Sequence, residues 1–351
     1  MRIGVIGLKF AGKTTLFNAI TGSGQPTGQG GVEPHRAVGE VPDPRLDRLQ
    51  EILGSHRRVP VQIEWIDIPG FEAGVTAAGG REATRSLEHG RKVDALIQVV
   101  RCFDGGYGPP DPEGELQTLA LELAVADLQI VENRLEKLRK DRQKIGKLAN
   151  PLEPDLMARL QAQLEQDRPL RELDLSGDEA KVVSGFSFLT RKPMIFALNH
   201  DEQGSAPPAW AAAAREMGGQ VVELCARMEA ELAELPPAEA AEFLADLGIR
   251  EPALHRMVRA AYDALSLQSF FTYNEDECRA WTIRKGTLAP QAAGAVHSDM
   301  ERGFIRAEVC AFADLEQAGG MAAAKQAHKV RLEGKNYVVR DGDILTIRFS
   351  V

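Results

Sequence analysis

One stretch near the N-terminus limits the folds open to this chain. It is "GLKFAGKTT", residues 7–15, preceded by the apolar run "MRIGVIG" and followed by "LFNAITG". Gly7, Gly12, Lys13 and Thr14 satisfy G-x-x-x-x-G-K-S/T, and a position between a strand and a helix is the context in which that pattern cradles phosphate. Leu16, Phe17 and Ile20 recur at helical spacing before Gly22 stops the helix. The order strand, glycine-rich turn, helix predicts an α/β nucleotide-binding domain. Backbone N–H groups of Phe10, Ala11, Gly12, Lys13, Thr14 and Thr15 can converge on a β-phosphate, helped by the positive end of the helix. Lys13 is expected to reach the β and γ oxygens, and the Thr14 hydroxyl to ligate Mg2+.

Four further apolar runs of strand length, "VQIEWIDIPG", "KVDALIQVVRCF", "KPMIFALN" and "GQVVELCA", alternate with helix-like stretches, which predicts a doubly wound sheet. The first of them ends in Asp67, placed to hold Mg2+ through water, and is followed by Gly70, whose backbone N–H can approach a γ-phosphate. Lys13 and Gly70 are therefore the candidate catalytic groups. "FALNHDE", residues 196–202, ends a strand where a nucleotide-binding protein reads its base, and it carries Glu202 where GTPases carry Asp. That Asp accepts from guanine N1–H and the 2-amino group; adenine has a lone pair and no amino group there. Glu is one methylene longer, so it removes the guanine-specific fork without itself selecting adenine.

"LELAVADLQIVENRLEKLRKDRQKIGKL" has a different texture: Leu121, Leu128 and Leu135, with Val131, Leu138 and Ile145, follow 3-4 spacing. One long helix is expected, broken at "ANPLEP", and a second from about 155 to 167 with Leu156, Leu160 and Leu164 on one face. The two can fold back as a hairpin projecting from the sheet. Arg134, Lys137, Arg139, Lys140, Arg142, Lys144 and Lys147 outnumber Glu136 and Asp141 there. They are either a solvated coiled-coil face or a contact for a phosphate backbone. Past residue 267 the chain turns to short strands, "CRAWTIRKG", "FIRAEVCAF" and "KNYVVRDGDILTIRFSV", in a small β-rich domain whose acids and bases balance. The division expected is 1–115 and 189–267 for the two parts of the nucleotide domain, 116–188 for the helical insertion and 268–351 for the C-terminal domain.

The 351 residues, 44% of them hydrophobic, can supply a core for each of these domains. A formal net charge of −9 argues against a simple RNA coat and against DNA as partner. Cys102, Cys225, Cys278 and Cys310 form no C-x-x-C pair, so buried thiols in a reducing compartment are expected, without zinc or disulfides. No run is long enough to span a membrane and no signal peptide opens the chain, so the expected address is cytoplasmic.

Together, "GLKFAGKTTLFNA", "VEPHRAVGEVPDPRLDRL", "WIDIPG", "VVRCFD", "LELAVADLQIVENRLEKL", "KPMIFALNHDE", "LCARMEAELAEL", "FIRAEVCAF" and "RLEGKNYVVRDGDILTIRF" run almost the length of the chain in an order that resembles the YchF/Obg-like ATPase family. The resemblance implies a Ras-like P-loop domain, an inserted coiled-coil hairpin and a ubiquitin-like α+β TGS domain. It also implies ATP use with relaxed preference, GTP being the alternative, and the ribosome or ribosomal RNA as partner. By the same likeness Asn199, His200 and Glu202 line the base pocket, with Cys225, Ala226 and Arg227 covering the base from the other side.

Departures from that pattern bear on turnover. Phe10-Ala11 replaces Asn-Val in the P-loop. Gly31 stands where the family's "T-I-E-P" offers a Thr to Mg2+, unless Thr27 moves in. Phe71 follows D-x-x-G in place of a water-orienting Gln, and the loop "DGGYGPPDP" has Tyr107 and no His. Slow hydrolysis is therefore expected, with a hydrolysis-deficient nucleotide sensor or interaction module as the second reading. A small P-loop kinase is disfavoured, because the chain lacks an acceptor lid and continues into domains such kinases lack.

Overall fold

The computed structural model describes residues 1–28, 33–70, 81–106, 108–146, 149–202 and 204–350. Gly31, Phe71 and Tyr107, on which the turnover expectation rests, and Lys147 of the basic run lie outside them.

The chain opens with β1 (Arg2–Ile6), α1 (Lys13–Thr21), β2 (His35–Glu40), α2 (Pro44–Leu53), β3 (Arg57–Val59) and β4 (Gln62–Asp67). It continues with α3 (Arg81–Arg91), β5 (Ala95–Arg101), α4 (Pro112–Ile145), α5 (Glu153–Leu164) and α6 (Gly177–Ser184). Next come β6 (Met194–Asn199), α7 (Pro208–Glu216), β7 (Gln220–Leu224), α8 (Ala226–Glu234), α9 (Pro237–Asp246) and α10 (Ala253–Ala264). The last strands are β8 (Leu267–Tyr273), β9 (Glu277–Arg284), β10 (Phe304–Ala311), β11 (Arg331–Glu333) and β12 (Asp343–Phe349), with short helices between them.

Two compact units result: Met1–Gly39 with Glu64–Ala260, and Glu40–Ile63 with Ala261–Val351. The first holds a six-stranded sheet in the order β2-β4-β1-β5-β6-β7. β1, β4, β5, β6 and β7 are parallel neighbours. β5 and β6 are buried almost throughout, because a parallel strand covered by helices on both faces must be apolar on both. The order reverses beside β1, so the carboxyl ends of β1, β4, β5 and β6 open on one crevice, the position where open α/β sheets bind ligands.

α4 is a single helix of 34 residues that serves two cores. Its first turns place Leu116, Leu119 and Leu123 in the sheet core with Ile6, Leu96 and Phe196. Farther along, Val131 and Leu138 pack on Leu156, Leu160 and Leu164 of α5. The hairpin is thus formed as expected, but the seam starts later: Leu121 is 55% exposed. The expected domain boundary at residue 115 falls inside this helix. Arg134 donates from Nε and Nη2 to the two oxygens of Glu153 at 2.7 and 2.8 Å, joining α4 to α5. At the hairpin base, Asp127 is fully buried. It accepts from Leu189 N–H (3.1 Å), from the N–H and hydroxyl of Thr190 (2.8 Å each) and from Arg91 Nη1 (2.7 Å).

The second unit has its own six-stranded sheet, ordered β11-β10-β12-β8-β9-β3. Residues 40–63, which the sequence division leaves with the nucleotide domain, group here instead. α2 is amphipathic, and Leu46 and Leu49, each 1% exposed, pack with Phe271, Cys278 and Ile344. β3 adds to the edge of β9 in parallel. Arg45 completes the join, donating to both Asp43 oxygens (2.9 and 2.8 Å) and to Asp341 (2.7 Å) while lying over the Phe271 ring. Three of the four cysteines are buried, and all four are free thiols.

Asp127→Ala leaves the Arg91 guanidinium and the Thr190 donors without their acceptor. We expect it to destabilise the first unit by about 3–5 kcal/mol, the cost of breaking a buried pair from one side. The denaturant midpoint of that unit reads this directly, and an unchanged midpoint would contradict the role given to Asp127.

Candidate functional site

The phosphate site begins with a helix that no side chain caps. α1 starts after Gly12 without a side-chain acceptor, whereas α4 is capped by Asp111, which accepts from Gly114 N–H at 3.0 Å. The first N–H groups of α1 are therefore left for an anion. Gly12 has φ 95°, and a Cβ there would stand 2.3 Å from Asn199 Nδ2, so no other residue fits. Phe10, where the resemblance has Asn, also takes a left-handed conformation at φ 65°, a strain of about 1–2 kcal/mol for such a side chain. The turn nevertheless keeps its form.

A cavity of about 350 Å3 opens over this turn. Phe10, Gly12, Lys13, Thr14 and Thr15 form its floor, and Thr27, Glu33, His35, Asp67, Gly70 and Phe103 form its walls. Register brings Asp67 here, since β4 pairs with β1 as Val5↔Asp67. Lys13 is 8% exposed and donates from Nζ to Leu8 O at 2.7 Å. Burial pushes its pKa down to about 8, against the raising influence of Asp67 and Glu115. A Cβ on Gly70 would lie 2.5 Å from Lys13 Nζ and 3.2 Å from Leu8 O, so the D-x-x-G backbone comes close to the end of the lysine side chain.

Thr14 Oγ1 donates to Asp67 Oδ2 at 2.8 Å, and His35 Nδ1 stands 3.4 Å from the same oxygen. Asp67 Oδ1 is buried without a hydrogen-bond partner among the described residues. A buried carboxylate oxygen left unanswered beside a hydroxyl suits a small hard cation, which takes one or two protein oxygens and fills its shell with water and phosphate. Among the described residues no group of three His, Cys, Asp or Glu side chains could hold an ion alone.

Asn199, 4% exposed, donates from Nδ2 to Ala11 O (3.0 Å) and accepts at Oδ1 from Ala226 N–H (2.9 Å). Both ends of the amide thus bind protein, fastening the P-loop to the 225–227 loop. His200 is half-buried, with Nδ1 2.8 Å from Asp201 O. Cys225 and Ala226 are each 2% exposed, and burial pushes the Cys225 thiol upward. Glu202 and Arg227 lie at the surface and pair at 3.2 Å. None of these six lines the phosphate cavity itself; Asn199 adjoins it through Gly12.

Four residues near the cavity escape sequence reasoning. His35 and Glu33 reach its wall from β2 and the turn before it, a segment with no strand-like pattern. Arg101 donates from Nη1 to the carbonyls of Phe103, Asp104 and Gly108 (2.9, 3.1 and 3.0 Å) and so shapes the loop after β5. Glu115 accepts from Arg101 N–H at 3.0 Å, and its burial raises its pKa. A buried-strand arginine followed by an acid in the next helical turn was the available signal.

Comparison with known proteins agrees with this geometry. Residues 2–144 match the family model described as 50S ribosome-binding GTPase, and residues 267–350 match YchF-GTPase_C, described as Protein of unknown function (DUF933). The chain is similar to "Ribosome-binding ATPase YchF" of Pasteurella multocida (strain Pm70), 41% identical over 100% of this chain and 99% of the relative. It is 34% identical to "Obg-like ATPase 1" of Oryza sativa subsp. japonica, covering 100% of this chain and 92% of that one. The solved structure of the Schizosaccharomyces pombe YchF GTPase superposes with a TM-score of 0.85 at 33% identity, covering 99% and 97% of the two chains. With relatives this similar along its whole length, the chain belongs to the YchF/Obg-like ATPase family of P-loop NTPases.

Proposed function

We propose that this protein binds ATP with Mg2+, with GTP as a weaker ligand, hydrolyses it slowly in the cytoplasm, and uses nucleotide state to regulate its association with ribosomes. The phosphate cavity carries the reading: uncapped N–H groups, a buried lysine, and a Thr14–Asp67 pair with one carboxylate oxygen unanswered. Lys13 would leave the Leu8 carbonyl for the β and γ oxygens, and backbone N–H groups from Phe10 to Thr15 would hold the β-phosphate. Gly70 N–H would meet the γ-phosphate from the opposite wall. Mg2+, held by Thr14 and through water by Asp67, would neutralise charge on the β and γ oxygens.

The ATP preference rests on the family likeness; Glu202, which pairs with Arg227 at the surface, removes the guanine-specific fork without itself selecting adenine. Asn199 is proposed to shape the base pocket rather than to read the base, both ends of its amide being in use. The bacterial relatives are named for ribosome binding. Exposed Lys137, Arg139, Lys140, Arg142 and Lys144 on α4 suit a phosphate backbone, although Lys140 also pairs with Glu136. No helix among the described residues is long and apolar enough to cross a membrane.

Slow turnover is proposed from Phe71 and from a β5 loop without His. The same features favour the second reading, a nucleotide sensor that does not turn over. Single-turnover phosphate release with and without ribosomes separates the two: release above background in either condition supports hydrolysis, and none in both supports the sensor.

Lys13→Ala should weaken ATP binding by about 1.5–3 kcal/mol, roughly ten- to a hundredfold. Equilibrium dialysis with labelled ATP measures this, and unchanged affinity would remove the basis of the proposal. Binding should also be linked to protons. With its pKa at about 8 in the free protein, Lys13 is charged at pH 7 and largely neutral at pH 9. Phosphate oxygens favour the charged form, so binding at pH 9 must take up a proton, and affinity should fall by up to about tenfold per unit above pH 8. Calorimetry at pH 7 and 9 in buffers of different ionisation enthalpy reads the uptake.

A further inference from the structure

A second cavity, of about 270 Å3, lies in the first unit where the base of the hairpin meets β5, β6 and the end of α7. Its lining is mixed: Leu123 and Ala124 of α4, and Met194 and Phe196 of β6, form a buried apolar side, and polar and charged residues including Gln98, Asp167, Arg168 and Thr190 form the rest. Set into this lining is Arg171, in the 3-10 turn Leu170–Glu172. Arg171 Nη2 donates to Met217 O at 2.5 Å and Nη1 reaches Thr190 O at 3.5 Å. Its Nε–H is buried and has no acceptor among the described residues.

Other sheltered arginines of this unit have a carboxylate against them: Arg91 has Asp127, Arg101 has Glu115 and Arg134 has Glu153. Arg171 has carbonyls. Burial lowers its pKa, countered only by the charge of Glu172. Arg171 is half-buried with its Nε fully so, and a sheltered guanidinium nitrogen is costly unless an acceptor answers it. Asp167, Glu172 and Glu216 also border the cavity, with Arg168 as a second cation; three carboxylates would repel a polyanion such as inorganic phosphate more strongly than a single charge. The volume lies just below the roughly 300–1,000 Å3 of drug-sized pockets, which points to a fragment-sized ligand with one charge.

We propose that this cavity is a binding site for a small organic monocarboxylate, its anionic end on Arg171 and its apolar body against Leu123, Met194 and Phe196. This site is separate from the phosphate cavity and does not depend on the nucleotide reading.

Phenylacetate serves as probe, titrated into the full chain by calorimetry, with its neutral isostere phenylacetamide and with inorganic phosphate as controls. Saturable phenylacetate binding is expected, with the amide weaker by at least about tenfold and no saturation by phosphate. Arg171→Met should abolish the preference for the acid over the amide. Because that substitution also removes two carbonyl contacts, Ala120→Leu provides a second variant: it fills the cavity from α4 and leaves Arg171 untouched, and it should abolish binding of both probes. Lys13→Ala should bind phenylacetate as the parent does. No saturable binding to the parent chain, equal binding of acid and amide, unchanged binding in Ala120→Leu, or loss in Lys13→Ala would each overturn the proposal.

Discussion

The side-chain amide of Asn199 is the joint on which the site depends. It closes β6, paired with Arg101 on one side and Leu224 on the other. From there it grips the P-loop at Ala11 and the 225–227 loop at Ala226. The phosphate turn and the base loop are consequently positioned from one buried group. Removing it would strand a buried carbonyl and a buried N–H, each costing about 1–3 kcal/mol. The same constraint explains Gly12, since any side chain there would occupy the space of the Asn199 amide. A phosphate motif and a base motif nearly two hundred residues apart in the chain thus become one structure.

Chain connectivity around the cavity has its own logic. β2 brings His35 to the cavity wall and leads out of the first unit at Glu40; β4 returns at Glu64 and ends at Asp67. The segment between them is held in the second unit by the buried face of α2, by β3 on the edge of β9 and by the Arg45 ion pairs. Both strands that carry cavity walls are therefore the covalent leads into and out of that segment.

Much of this was legible in the sequence, for physical reasons that differ by element. β1, β5 and β6 are buried on both faces, so they read as continuous apolar runs, and the P-loop pattern is short because local geometry alone makes the phosphate cradle. The hairpin followed from leucine spacing, but periodicity could not show that α4 first packs on the sheet, which is why Leu121 looked like a seam residue and is exposed. Residues 40–63 were misplaced in sequence reading because α2 has an ordinary amphipathic pattern and its partners lie more than two hundred residues away. Asn199 was recognisable as part of a base-reading motif, but its bonds to Ala11 and Ala226 depend on tertiary contacts that no local pattern encodes. Arg171 carried no signal at all: an arginine beside a glutamate in a charged, proline-containing stretch reads as surface until the cavity around it is seen.

The claim on which the account turns is that the Lys13 cavity holds a triphosphate with a divalent cation, and that Glu202, by removing the guanine-specific fork, leaves the base side open to adenine. Matched titrations of labelled ATP and GTP, each with and without Mg2+, test all of this in one measurement. The account predicts saturable binding of both nucleotides, ATP the tighter, with affinity for each increased by Mg2+. Tighter binding of GTP, or affinities indifferent to the metal, would contradict it.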